Sequence, residues 1–511
     1  MSVHIHPCPT HNPAAQMLER ISAFCLLAGP ALLFWFQGGN HSSVGWFGAA
    51  TLGLGIAIWL LSKSIGGPNI SLPRIPLICG GIALAIGLLG VLQPPDPIAD
   101  PFVALHQAAL KERWPSTGLA FSPFAWWSIC ALGWISALAG IDLLKRHPQW
   151  IQPAASTLVL SVCGFALIAT HHGGAVEWMF LSEPAFSGHP FGGFFHYSLA
   201  AALFNLCWPV ALALALHTGM DALATSSLRQ WLFCLCFSAV SGFLFVTIFI
   251  LTNRAAQVAA ALGMAVFSLM LLLRLRSYFD DRKNWPVLPG FMGQKKVGNL
   301  LGGLTLLAVG WIAFHLSDRS FQWGSLEVPP PTRLLEPLPD RGDFLVPSES
   351  PHSHLPFFPR RLSWATAATM LPDAGFLGFG PGAWSYRYSD YTGDTMMLSF
   401  PLHIHFVYND SLRYLVEWGW IGGLAWIVFW LWVLARGGRH ALKSALNGKV
   451  WTRLQWIQMG AWTGLVTCLI HGLVDFPLQS PGVFLAAMLM AVLATVRPSS
   501  KSCRETKSGL T

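Results

Sequence analysis

The chain has 511 residues, of which 53% are hydrophobic and only 11% are charged, and its formal net charge is +8. A soluble domain carries about 25% charged residues, so this composition excludes an ordinary soluble enzyme and indicates a helical membrane protein with many spans. The positive charge requires no nucleic-acid partner, because it follows from the distribution of basic residues between the two membrane faces.

Runs of about 20 apolar residues mark the predicted membrane-spanning helices. In chain order they cover 20–37, 44–62, 75–93, 124–144, 151–170, 198–217, 230–252, 256–273, 298–316, 412–434, 455–473 and 482–496. We therefore predict an all-α, polytopic membrane protein with about twelve transmembrane helices, which forms a single membrane domain over residues 1–511. No cleavable signal peptide is expected, because the first residues carry no basic run before the first apolar stretch.

Basic residues predict the orientation of the chain in the bilayer. Most of the 31 Lys and Arg residues fall in segments that the alternation of spans places on the same side as the N-terminus. With this bias we expect both termini in the cytoplasm. The ten cysteines fall in spans or at their cytoplasmic ends, so no disulfide framework is expected.

One long outer loop, 317–411, is predicted between the ninth and tenth spans. Its first half is rich in Pro, which favours irregular structure, whereas 361–370 has a helical pattern. The string Gly378-Phe379-Gly380-Pro381-Gly382 follows no strand of an α/β unit, so nucleotide binding is a poor interpretation. We expect its glycines to form a tight turn with positive φ that brings the loop back over the membrane.

Two arginines on the outer side are candidate ligands for a phosphate. Arg254 follows the seventh span at its outer end, where a guanidinium suits a phosphate at the hydrocarbon boundary, although an arginine that anchors a helix end has the same pattern. Arg361 shares a predicted helical face with Trp364 and Ala368, and a plain surface arginine is the alternative. Neighbouring Arg360 has no helix or motif argument in its favour.

His403 and His405 alternate along an extended segment, which points both imidazoles to one side. A neutral imidazole is a natural general base for a hydroxyl, although two ordinary loop histidines would have the same spacing. A catalytic zinc needs three protein ligands, and no third candidate stands at a suitable spacing. No metal and no cofactor are therefore predicted.

Further polar residues stand at the ends of the last spans. Asn409 and Asp410 begin the tenth span and suit the capping position of a helix. Glu417 lies about two turns into that span and is expected to face the protein interior. His471 and Asp475 have the (i, i+4) spacing that shares a helix face, either as a structural hydrogen bond or as support for a site.

These strings together resemble the O-antigen ligase and O-antigen polymerase family of bacterial envelope glycosyltransferases, over roughly residues 185 to 495. In chain order the matching elements are the loop Gly192-Gly193-Phe194-Phe195-His196-Tyr197, Thr252-Asn253-Arg254-Ala255, Arg361 with Trp364 and Gly378-Phe379-Gly380-Pro381-Gly382, Tyr408-Asn409-Asp410 with Glu417, and His471 with Asp475 and Pro477. The family has a His where this chain has Tyr408. A tyrosine has a pKa near 10 and is a poor base, so either His405 or His403 takes that role, with His405 favoured, or Tyr408 only orients the acceptor, or the chain is inactive as a transferase.

The resemblance implies a fold like that of the GT-C glycosyltransferases in the bacterial inner membrane, with the active site and the large loop 317–411 on the periplasmic side. It implies metal-independent, inverting transfer of a glycan from undecaprenyl diphosphate to a hydroxyl of a glycan or lipid-core acceptor. Site residues implied in this way are His405, His403 and Tyr408 for catalysis, Arg254 and Arg361 for the diphosphate, and Asn409, Asp410, Glu417, His471 and Asp475 in support. The alternatives are a secondary transporter of a small solute and a catalytically silent member of an envelope polysaccharide assembly complex.

Overall fold

The protein is described by a computed structural model over residues 12–36, 42–65, 70, 72–92, 123–174, 176, 179, 191–194, 196–251, 253–280, 358–392, 406–446 and 452–497. Within these ranges the chain is helical, apart from turns and an isolated antiparallel bridge between Phe191 and Phe194. The prediction of an all-α fold is therefore confirmed for the described residues. The predicted ninth span, 298–316, and most of the loop 317–411 lie outside the described residues.

The long helices before the loop are α1 (Pro13–Trp35), α2 (Ser42–Ser64), α3 (Arg74–Leu92), α4 (Pro123–Arg146), α5 (Ile151–His171), α6 (Tyr197–Thr225), α7 (Leu228–Ile250) and α8 (Arg254–Asp280). After it come α9 (Phe358–Ala374), the short α10 (Trp384–Arg387) and α11 (Ser389–Thr392), and then α12 (Asp410–Leu446), α13 (Arg453–His471) and α14 (Pro481–Thr495). Nine of the described helices are long and apolar enough to cross a membrane. The last two predicted spans correspond to α13 and α14, and α14 is a shorter apolar helix. A total of twelve stays a prediction.

Helix α6 forms the centre of the bundle, with 89% of its most apolar stretch buried. Helix α13 packs against it through glycines, because a Cβ atom on Gly464 would lie only 2.3 Å from the carbonyl oxygen of Leu206. Small residues allow membrane helices to approach this closely and to gain dispersion contacts that lipid tails cannot supply. The position of α6 matters for the site, because its first turn lies at the centre of one end of the bundle.

Side-chain contacts define the two ends of the bundle. The first residues of α6, α8 and α12 and the last residues of α13 meet at one end, which we name the site end. The start of α1, the end of α2 and the end of α4 meet at the other, named the opposite end, through Lys63 and Arg146, which pair with Glu19 and Asp142. Hence the chain passes from one end to the other with successive long helices, as a polytopic membrane protein does.

Helix α12 is broken near the site end. Gly419 has φ 65° and ψ −175°, which no helical residue adopts. The glycine loop, residues 375–382, lies against the break and bonds the backbone groups that the break releases: Phe379 N–H donates to Val416 O at 3.1 Å, and Trp420 N–H donates to Gly375 O at 3.1 Å. Non-helical backbone at membrane depth is tolerated where protein groups satisfy it in this way.

The glycine loop has the predicted backbone conformation. Its three alternating glycines, Gly378, Gly380 and Gly382, have φ values of 77°, 100° and 76°, so the expected positive φ is confirmed. A Cβ on Gly378 would lie 2.3 Å from Gly419 N, so the loop and the broken helix touch backbone to backbone. The sequence did not reveal the break, since 412–434 reads as a continuous apolar span.

Candidate functional site

Asp475 is the centre of a buried polar cluster at the site end. Its carboxylate accepts hydrogen bonds from Ser198 Oγ at 2.6 Å and from Asn253 Nδ2 at 3.2 Å, and it lies 3.3 Å from His471 Nε2. Ser198 belongs to the first turn of α6, Asn253 precedes α8, and His471 ends α13. The predicted contact between His471 and Asp475 is present, and the same carboxylate also joins three helices that are distant in the sequence.

The surroundings of Asp475 keep it ionised. Burial by itself favours the neutral acid, but the hydrogen bond with His471 and the attraction of that ring, of Arg360 and of His196 outweigh it and hold the pKa of Asp475 below its ordinary range. A carboxylate that is buried, ionised and bonded on several sides orients the groups around it. Asp475 therefore acts in this structure as an anchor for neighbouring polar and cationic side chains.

Arg360 is the cation that the structure brings to this cluster. Its Nε donates to Val474 O at 2.8 Å, and its Nη2 lies 3.6 Å from Asp475 Oδ2. The guanidinium also lies over the ring of Tyr408, 5.3 Å from the centroid. The motif argument favoured Arg361 and gave no reason to choose Arg360. The backbone of Arg361 lies in α9, but its side chain lies outside the described part of the structure.

Tyr408 is held in place by residues of α9. Its N–H donates to Ser363 Oγ at 3.0 Å, and Trp364 Nε1 donates to its carbonyl oxygen at 2.7 Å. Burial raises the pKa of Tyr408 above its ordinary value, and the nearby carboxylate of Asp475 adds to this effect. At neutral pH Tyr408 is therefore ionised even less often than an exposed tyrosine to the phenolate that could accept a proton, which leaves an orienting role for it.

Asn409 and Asp410 fasten the start of α12 to the segment that follows α13. Asn409 caps the helix, because its Oδ1 accepts from Leu412 N at 3.0 Å, and its Nδ2 donates to Leu473 O at 2.9 Å. The buried carboxylate of Asp410 accepts from Leu478 N at 3.1 Å and from Gln479 Nε2 at 3.2 Å. The predicted capping is confirmed for Asn409. Both side chains tie the start of α12 to the segment after α13 that carries Asp475.

Glu417 belongs to a second polar pair deeper in α12. It is fully buried, as predicted, and its Oε1 accepts from Arg413 Nε at 2.8 Å. The guanidinium of Arg413 lies 5.0 Å from the ring centroid of Trp126. Trp384 N–H, beyond the glycine loop, donates to the same Glu417 oxygen at 3.4 Å. This pair therefore connects the break in α12 to the glycine loop.

Arg254 lies at the same end as the Asp475 cluster. It is the first residue of α8 and is exposed. The preceding residue, Asn253, bonds Asp475 through Nδ2 and accepts from Ala256 N at 3.0 Å through Oδ1. The backbone of Arg254 is thus fixed one residue from the cluster, while its long side chain extends from the surface of the protein.

His196 is a site residue to which motif reasoning assigned no role. Its Nδ1 accepts from Ser198 N at 3.2 Å at the start of α6, and its ring stacks on Tyr197 at 4.5 Å between centroids. The ring of Phe476 lies 5.5 Å away and stacks in turn on Phe406. The signal available in the sequence was the loop Gly192-Gly193-Phe194-Phe195-His196, which places this histidine directly before the sixth span, at its outer end.

Two predicted catalytic residues, His403 and His405, lie outside the described residues. They precede Phe406, and the next residues, Val407 and Tyr408, are buried in the site. Among the residues that the structure describes, no group of three His, Cys, Asp or Glu side chains is arranged to hold a metal ion. The described cluster can fix cations near a surface and orient a ligand through hydrogen bonds and charge.

The fold and the cluster define a polytopic helical membrane protein with a buried polar centre at one end of the bundle. No protein-family model matches the chain. No curated protein is significantly similar to it.

Proposed function

We propose that the chain is a glycosyltransferase of the O-antigen ligase and polymerase type, acting at the periplasmic face of the bacterial inner membrane. It moves a glycan from undecaprenyl diphosphate to a hydroxyl of a glycan or lipid-core acceptor, without metal and with inversion. The observation that carries this proposal is the convergence at Asp475 of residues that lie in the strings of the resemblance or directly beside them. Ser198 and Asp475 are 277 residues apart in the chain and are joined by one hydrogen bond.

The arginines of the site supply the charge that the reaction needs. The leaving group is a lipid-linked diphosphate, whose developing negative charge requires preorganised donors more than it requires a proton. Arg254 and Arg361 are the cations assigned by the resemblance, and Arg360 joins them because Val474 and Asp475 fix its guanidinium. Guanidinium groups suit this task because their planar N–H donors match phosphate oxygens.

The acceptor hydroxyl requires a base, and we assign that role to an imidazole. In the proposed step the hydroxyl proton passes to His405 or His403, and the hydroxyl oxygen attacks the anomeric carbon in line. The bond between that carbon and the diphosphate oxygen breaks, and its electron pair leaves on the diphosphate. Tyr408, with its raised pKa, orients the acceptor and does not accept the proton.

Basic residues support the proposed orientation. Within the described residues they gather towards the opposite end: Lys63, Arg146, Arg229, Arg274, Arg436, Arg439, Lys443, Arg453 and Arg497. Cytoplasmic segments carry such an excess of Lys and Arg, so the opposite end would face the cytoplasm and the site end the periplasm.

A reconstituted transfer assay tests the proposal. Purified protein in proteoliposomes is given undecaprenyl-diphosphate-linked glycan, and consumption of the donor is measured. Arg360→Gln and Arg254→Gln are each expected to reduce turnover roughly 10²-fold. Arg387→Gln is the matched control, because Arg387 belongs to the same loop region but pairs with the exposed Asp390 at 3.4 Å. Equal turnover in all three variants would contradict the assignment.

A transporter is the second candidate, and the broken α12 favours it, since discontinuous helices build substrate sites in many transporters. Those breaks line a cavity, whereas here the glycine loop bonds the backbone groups at the break. Uptake of solute by proteoliposomes under an ion gradient, with no consumption of lipid-linked glycan, would decide for this alternative. If the protein neither takes up solute nor consumes lipid-linked glycan, the result would support a catalytically silent assembly component.

A further inference from the structure

Basic side chains gather at the opposite end of the bundle, away from the proposed active site. Arg436, Arg439, His440 and Lys443 occupy the last turns of α12 at positions i, i+3, i+4 and i+7, so they share one helix face. Arg497 follows α14 and adds a further charge. We name these five residues the basic cluster.

Helix packing brings the members of the cluster together. Helices α12 and α14 approach closely at Gly437, where a Cβ would lie 3.3 Å from the Cβ of Ala494. Val496, beside Arg497, is fixed by a hydrogen bond from Gln458 Nε2 to its carbonyl oxygen at 2.5 Å. Because Gly437 is adjacent to Arg436 and Ala494 lies three residues before Arg497, this packing places the two arginines at the same helix contact.

The cluster differs from the other basic groups at this end. Lys63 and Arg146 are paired with the carboxylates of Glu19 and Asp142. Among the described residues, no carboxylate lies within ion-pair distance of the arginines and the lysine of the basic cluster, and the buried Nε2 of His440 has no hydrogen-bond partner. Like charges on one helix face repel each other, and the negative end of the α12 dipole offsets only part of this repulsion.

The surroundings fit the headgroup region of a bilayer. Trp432 lies beneath Arg436, with the guanidinium 5.6 Å from the ring centroid. Tryptophan favours the depth of the lipid headgroups. Leu431 and Leu442 are exposed on the same helix, and they offer an apolar surface to acyl chains. A phosphate at the cluster would thus belong to a molecule whose tails lie along α12.

We propose that the basic cluster binds the phosphate of an anionic phospholipid headgroup, in the leaflet opposite the proposed active site. Basic pockets between membrane helices recognise lipid phosphates in this way. The proposal does not depend on the proposed glycosyltransferase activity. It follows from the spacing on α12, the packing against α14 and the positive charge that no carboxylate of the described residues compensates.

Lipid binding to the delipidated, detergent-solubilised chain tests the proposal. Native mass spectrometry and thermal melting are followed as phosphatidylglycerol or phosphatidylcholine is added. We expect bound phosphatidylglycerol and a raised melting temperature, and neither with phosphatidylcholine. Arg436→Gln combined with Arg497→Gln is expected to weaken phosphatidylglycerol binding about thirty-fold. Arg229→Gln is the matched control, since Arg229 lies at the same end on α7, over the ring of Phe233.

A second pair of substitutions keeps the test decisive if the variant with Arg436→Gln and Arg497→Gln fails to fold. Arg439 and Lys443 are both exposed, so Arg439→Gln with Lys443→Gln should leave folding intact and still weaken binding about thirty-fold. Equal affinity for phosphatidylcholine, or unchanged affinity in the exposed pair, overturns the proposal. If inorganic phosphate alone raises the melting temperature as much as the lipid does, the ligand is free phosphate and the lipid assignment is wrong.

Discussion

At the scale of single residues, Asp475 decides how the site is held together. It is fully buried and ionised, and it contacts Ser198, Asn253, His471 and Arg360. Removing one partner of a buried ion pair leaves an uncompensated charge, which is costlier than the pair is stabilising. This asymmetry makes the residue a sensitive place to test the described geometry.

Replacing the Asp475 carboxylate by an amide should destabilise the protein. We expect Asp475→Asn to lower the free energy of unfolding by about 3 kcal/mol, at the low end for buried pairs because Arg360 is partly exposed. Thermal melting of the purified protein measures it. Asp373→Asn is the control, since Asp373 is exposed and accepts from Tyr391 Oη at 2.8 Å, and its effect should stay within about 0.5 kcal/mol. Identical melting temperatures for the two variants would refute the role of Asp475 as the anchor of the polar cluster.

The lowered pKa of Asp475 also predicts a pH dependence. The folded-state pKa lies below the unfolded value of about 3.9, so the stability from this carboxylate is fully present above that value and is lost as pH falls through the folded pKa. The difference in melting temperature between wild type and Asp475→Asn should still be present at about pH 5 and should shrink below about pH 4. A difference that grows in acid would have the wrong sign.

Tyr408→Phe tests whether the phenol carries the proton. The Phe ring keeps the contact with Arg360 and the edge-to-face contact with Phe476, and the raised pKa of Tyr408 already excludes it as an efficient base. Transfer activity should stay within about tenfold of wild type, with an unchanged pH–rate profile. His403→Ala and His405→Ala are the comparison, and the loss of activity should fall on one of them. A Tyr408→Phe variant that is inactive while both His variants are active would reverse the roles.

At the scale of elements, the break in α12 and the glycine loop form one unit. The sequence predicted the positive φ of the loop glycines, because glycine adopts positive φ without the Cβ clash that other residues meet. It did not predict the break, because a Gly within an apolar run is tolerated in membrane helices and its backbone partner lies in a distant loop. Similarly, it could not select Arg360, because the carbonyl of Val474 that orients it is 114 residues away.

Gly419→Ala should therefore destabilise the fold strongly. Gly419 has positive φ, and a Cβ there would lie 2.4 Å from Gly378 N and from Phe376 O. Backbone strain alone costs about 1–3 kcal/mol at such a position, and the contact with backbone atoms adds to it. Gly242→Ala in α7 is the control, because Gly242 is helical with no atom within 4 Å of its Cβ position, so it should be neutral or slightly stabilising. Melting temperatures compare them, and a Gly419→Ala protein as stable as Gly242→Ala would contradict the described break.

At the scale of the whole molecule, ionic groups secure both ends of an apolar bundle. The spans could be read from the sequence because bilayer thickness fixes their length, and nine of the described helices meet that requirement. The polar residues of the site end stood out because they interrupt apolar runs. The network at the opposite end did not, since Glu19, Lys63 and Arg146 come from three separate helices and no local pattern relates them.

Glu19 should be essential to that network. It pairs with Arg146, with Lys63 at 3.3 Å and with His147 at 2.6 Å, and it is almost fully buried. Glu19→Gln is expected to reduce the free energy of unfolding by about 3–5 kcal/mol, because several cations lose their counter-charge. Asp221→Asn serves as control, since Asp221 is more exposed and lies 3.5 Å from His217 at the same end. Both are compared by thermal melting, and equal effects would mean that the network contributes little.

The most direct test of the account is binding of undecaprenyl diphosphate itself, without a sugar, to the detergent-purified protein. If the polar cluster at the site end holds a lipid-linked diphosphate, wild type should bind it, and Arg254→Gln combined with Arg360→Gln should bind it about 100-fold more weakly, as expected for two lost charge-assisted contacts. Arg387→Gln should bind like wild type. Equal affinities in wild type, the double variant and the control would contradict the central claim.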